Sequence, residues 1–97
     1  MTDRSGDRPI WERLGPPIQI VIYPDTKHDV WRHAMYHSNG GIVDGQLKVA
    51  AAASPSEATL EAERMVANVC EQYHGLFASI DWTRGDNGSY SGAIRSD

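Results

Sequence analysis

The sequence predicts an α+β fold, a two-layer sandwich of an antiparallel β-meander and one long helix in the order β-β-β-α-β. Segment 90–94 reads either as a further short edge strand or as loose chain. Three observations lead there. Ser54-Pro55-Ser56-Glu57 is a complete helix start, with a capping serine, proline at the first helical position and glutamate closing a capping box. Residues 18–23, Ile-Gln-Ile-Val-Ile-Tyr, are β-branched and alternate in polarity. Ser38-Asn39-Gly40-Gly41 marks a hairpin turn between extended segments.

Each element follows from its residues. Residues 1–9 read as a polar lead-in expected to be flexible, ahead of a single expected domain spanning 10–94. Pro9 to Leu14 has the pattern of one helical turn, with Ile10, Trp11 and Leu14 on one face and Gly15-Pro16-Pro17 ending it. Ile18, Ile20 and Ile22 place one face of the first strand toward a core. Pro24 to Asp29 is a polar turn, and Val30 to His37 returns as the second strand of a hairpin. Its two faces are Val30/Arg32/Ala34/Tyr36 and Trp31/His33/Met35/His37; neither is cleanly apolar, so the pattern leaves open which is buried. Ile42 to Gly45 extends the turn or holds a bulge, and Gln46 to Ala53 reads as a third strand thinning into alanines. The helix then runs 55–74, with Ala58, Ala62, Met65, Val66, Val69, Cys70 and Tyr73 as its inward stripe and Gly75 as its stop. Leu76 to Thr83 reads as a fourth strand with Leu76, Ala78, Ile80 and Trp82 on one face. Arg84 to Gly88 is a turn, and 95–97 should fray.

Composition narrows the function classes. The chain has 97 residues, 40% of them apolar, and a net charge of -4. That amount of apolar surface suits one small globular domain and argues against disorder. The negative charge works against bulk attraction to nucleic acid or anionic lipid. A single cysteine rules out an internal disulfide. With no signal-peptide pattern and no long apolar run, the expectation is a cytoplasmic, non-membrane protein. Seven arginines to two lysines, with abundant alanine, suit a bacterial or phage accessory protein from a GC-rich genome.

Four kinds of site compete. His33, His37, Cys70 and His74 would suit zinc if the second strand lay beneath the end of the helix, yet a lone cysteine at this spacing is ordinarily a small buried hydrophobe. His28 and Asp29, with Asp25 nearby, offer a His–Asp pair for acid–base work, but also the composition of a solvated turn. No nucleophile elbow, phosphate loop or cofactor motif accompanies them, so no catalytic residue, metal or cofactor is assigned. Exposed aromatics and cations on a sheet would stack single-stranded nucleic acid. They serve equally as anchors for a protein. Three tryptophans and four tyrosines exceed what so small a core readily hides. The reading favoured is therefore a non-enzymatic accessory or regulatory domain that binds a protein partner, or itself as a homodimer. It would do so through the sheet face opposite the helix, with Tyr23, Trp31 and Tyr36 as anchors and Arg32 as polar contact. Single-stranded nucleic-acid binding on the same face is the alternative, and a small enzyme at the His/Asp turn comes third.

The strand-turn-strand-helix order over 18–74, with Ile22-Tyr23-Pro24-Asp25 ahead of the first turn, resembles the antitoxin domains of the HicB type. The glycine-cysteine element and Gly-x-Thr helix entry of that pattern are absent, so the resemblance implies an order of elements and assigns no residue a role.

Overall fold

The computed structural model describes residues 14–97; the expected helical turn at Pro9–Leu14, with Ile10 and Trp11, lies almost entirely outside them. The element order is β1 (Pro17–Asp25), β2 (Val30–His37), β3 (Ile42–Gln46), a helix (Pro55–His74), β4 (Ala78–Arg84), a 3-10 turn (Asp86–Gly88) and β5 (Tyr90–Ser96). The strands form one antiparallel sheet in the order β3-β2-β1-β5-β4, and the helix covers one face, as the α+β expectation requires.

The helix takes the form its ends dictate. Ser54 is extended at φ -66 and ψ 153, and its hydroxyl accepts from the Glu57 N–H at 3.3 Å. Gly75 leaves in the left-handed region at φ 65, and the Leu76 N–H then returns to the Cys70 carbonyl. Between these caps Ala58, Ala62, Val66, Val69 and Cys70 are buried. The alanines, one turn apart, let the helix lie close to the sheet. There it meets Ile20 and Ile22 of β1, Trp31 and Met35 of β2, and Ile94 of β5. Ile20, Ile22 and Met35 are fully buried, each contributing roughly 1.5–3 kcal/mol.

The β1–β2 register pairs Ile20 with Met35 and Ile22 with His33, which settles which face of β2 is buried. Trp31, His33, Met35 and His37 point to the helix side; Arg32, Ala34 and Tyr36 point away. A register shift between Pro17 and Gln19 rotates Ile18 out of the isoleucine stripe and leaves it 52% exposed.

Three features of the sheet depart from the sequence expectation. The third strand is Ile42–Gln46 rather than 46–53. The tight His37–Gly41 closure, with Gly40 at φ 89, starts pairing at once. Leu47 and Val49 still bond to Trp31, but Ala50–Ala53 is a turn closed by the Ala53 N–H on the Ala50 carbonyl. The last strand is neither loose nor an edge: β5 lies between β1 and β4 and reaches Ser96. Nor do the last residues fray, since Asp97 exchanges both backbone hydrogen bonds with Phe77. No helix among the described residues is long and apolar enough to cross a membrane.

Candidate functional site

The face of the sheet away from the helix gathers side chains from all five strands. Strand pairing sets Tyr23 opposite Arg32, Val21 opposite Ala34 and Gln19 opposite Tyr36. Beyond β2, Ile42, Asp44 and Gln46 of β3 stand opposite Tyr36, Ala34 and Arg32. Ser91 and Ala93 of β5 extend the face toward Asp81 and Thr83 of β4. Tyr23 is 40% exposed and Ile42 62%.

Arg32 is held in place on this face. Its Nε donates to Asp25 Oδ2 at 2.6 Å across the hairpin. His28 Nδ1 lies 2.8 Å from the same oxygen, and the His28 backbone N–H donates to both Asp25 Oδ1 and the Asp25 carbonyl. The Arg32 guanidinium and then His28 hold the Asp25 carboxyl down at about 2. The loop closes with Asp29 in the left-handed region at φ 53, a conformation aspartate tolerates better than most residues. Arg95, farther along the face, reaches Asp81 at 3.1 Å.

Of the four binding residues read from the sequence, the structure brings Tyr23, Arg32 and Tyr36 onto this face. Trp31 must be removed from the set. It is 2% exposed, lies in the core beneath the helix, and has its ring 6.5 Å from that of Tyr90. The reason is parity: a strand presents alternate residues to opposite faces, so Trp31 and Arg32 never share one. Ile42, Asp44 and Gln46 join the face in addition to the expected residues; their alternation with Val43, Gly45 and Leu47 is the strand signal that an extended turn or bulge at 42–45 masks.

His33 and His37 are buried on the inner face of β2, and Cys70 is buried on the helix. His37 Nδ1 donates to the Gly15 carbonyl at 2.7 Å. Among the described residues no three His, Cys, Asp or Glu side chains are grouped to hold a metal ion. His28 and Asp25 do meet, but their carboxylate is shared with Arg32, and Asp29 takes no part in the contact.

Two grooves flank the helix. One, of about 370 Å³, runs between Val49, Ala53, Glu57, Leu60 and Arg64. The other, of about 340 Å³, lies between the helix and β4, against Val66, Ala67, Ala78 and Ile80. Compared with known proteins, the chain matches no family model, no curated protein and no solved structure.

Proposed function

We propose that the chain is a binding domain that docks a protein partner on the open sheet face, with Tyr23 and Tyr36 as aromatic anchors, Ile42 as apolar rim and Arg32 as polar contact. The observation that carries this reading is the placement of these four side chains on a sheet face turned away from the helix. Aromatic rings beside a pre-positioned arginine are the residue types that dominate protein interfaces, because they bury large area at small entropic cost. Arg32 is clamped by Asp25 before any partner arrives, so little conformational freedom remains to be lost on contact.

Charge favours protein over single-stranded nucleic acid. Arg32 and Arg95 on this side are each bridged to an aspartate, and Asp44 adds a further carboxylate. A phosphate backbone would have to displace those carboxylates, at a net protein charge of -4.

The test compares the wild type with a Tyr23→Ala/Tyr36→Ala variant whose melting curve is unchanged, each immobilised as bait. A protein retained by the wild type and lost by the variant supports the reading. Equal retention by both overturns it. So does binding of a mixed-sequence single-stranded oligonucleotide that collapses as salt is raised, since that is the signature of phosphate contacts.

A further inference from the structure

The outer edge of β4 is a seven-residue strand that no other strand among the described residues pairs with. Phe77 and Asp97 exchange both backbone hydrogen bonds, and the Gly85 N–H donates to the Ser89 carbonyl. The β4–β5 register is unbroken from Ala78–Ser96 to Arg84–Tyr90. In an antiparallel ladder hydrogen-bonded pairs alternate, so the odd residues of β4 point their backbone groups at β5. Ala78, Ile80, Trp82 and Arg84 therefore present theirs outward. Soluble proteins ordinarily guard such an edge with proline, lysine or a bulge. Residues 78–84, Ala-Ser-Ile-Asp-Trp-Thr-Arg, contain none of these; their two charges are Asp81, bridged to Arg95 of β5 at 3.1 Å, and Arg84 at the end of the strand. Phe77, at the start of this edge, is 76% exposed.

We infer that β4 pairs with β4 of a second copy, antiparallel about a two-fold axis at Ile80, to make one continuous ten-stranded sheet from two five-stranded ones. The register follows from charge and size. Outward backbone groups belong to even residues, so a hydrogen-bonded pairing joins even to even. Centring on Ile80 sets Ala78 against the partner's Trp82, small against large. On the other face it sets Asp81 against the partner's Ser79, a carboxylate against a hydroxyl. Moving the axis one residue to Asp81 would place two aspartates side by side in the close, non-hydrogen-bonded position, where like charges destabilise. The apolar inner side of the joint, Ala78 and Ile80 with the neighbouring groove against Val66 and Ala67, is where the second copy adds contact.

An antiparallel pair has its two-fold axis normal to the sheet, so both helices lie on one side and both open faces on the other. The edge is used up and the assembly closes as a dimer. This inference stands on residues separate from the Tyr23–Arg32–Tyr36 face and does not depend on what that face binds.

The experiment is sedimentation equilibrium on the full chain over a wide concentration range, with four variants. The wild type should dimerise. Ser79→Asp should weaken the dimer about tenfold, because two symmetric carboxylate pairs now repel. Ser79→Lys should strengthen it through the same pairs. Both leave the protomer folded, since Ser79 is exposed. Ala78→Pro should abolish dimerisation while keeping the β4–β5 ladder, because the N–H it removes points away from β5. Tyr36→Glu should leave the dimer intact. A wild type that is monomeric at every concentration overturns the inference, and so does a dimer indifferent to both Ser79 variants or dissolved by Tyr36→Glu.

Discussion

Gly92 and Trp82 stand opposite one another in the β4–β5 ladder, and the indole lies over the bare glycine. A Cβ at Gly92 would come within 3.0 Å of two indole carbons and still closer to Ile80 Cγ2. An aromatic ring resting on a strand glycine fills the space the missing side chain leaves. The same ring donates from Nε1 to Glu63 Oε2 at 3.0 Å, tying β4 to the helix. Gly92→Ala should therefore push Ile80 and Trp82 off their seats and cost about 1–3 kcal/mol, read as a lower midpoint in urea denaturation. An unchanged midpoint would mean that the edge strand yields freely.

Neighbours on one strand should behave as opposites. Trp31→Ala empties a core site and should cost about 3–5 kcal/mol. Tyr36→Ala, on the open face, should cost about 1 kcal/mol or less. Thermal melts of the two variants check the assignment of faces in β2; comparable losses would contradict it.

Acid should loosen the first hairpin through Asp25. Its folded pKa, about 2, lies below the ordinary 3.8, so the clamp contributes fully above 3.8 and is lost as pH falls toward 2. Asp25→Asn should remove that part of the acid sensitivity. Denaturant melts of the two proteins at neutral pH and at pH 4, 3 and 2 report it: the gap between them should narrow steadily below pH 4.

His33 sets a second, milder dependence. Burial lowers its pKa below 6.5, while the charge of Asp44 opposes the shift. Folding therefore favours its neutral form, and the unfolded chain takes up the proton more readily. Stability is then complete above 6.5 and declines as pH falls below it, by at most about 1.4 kcal/mol per pH unit for one group. His33→Phe should flatten the profile between pH 7 and 5, whatever its effect on stability at pH 8.

The elements with strong local grammar were legible in the sequence. Ser54, Pro55, Glu57 and Gly75 bound the helix at the residues where it begins and ends, because capping is settled within a few bonds. Tyr23, Arg32 and Tyr36 were legible as candidates, but their common face was not. That turned on a partner strand, Ile20 and Ile22 seated against Met35 and His33, which alternation within β2 alone does not supply. The place of β5 was hidden for the same reason. Ser91, Gly92 and Ala93 look like poor strand formers until Trp82 on one side and the first strand on the other explain their small size. The Asp25–Arg32 bridge spans seven residues and exists only once the hairpin has closed.

Cys70 gives the chain a built-in clock for its own opening. The sole thiol is fully buried on the sheet-facing side of the helix, and burial raises its pKa, so it stays protonated and sheltered while the helix is seated. A thiol reagent in the solvent can mark it only during the moments when the helix lifts or the whole domain unfolds. The rate of that marking counts those moments directly, without any engineered probe. A ligand or second copy that steadies the sheet would be seen first as a slowing of that clock.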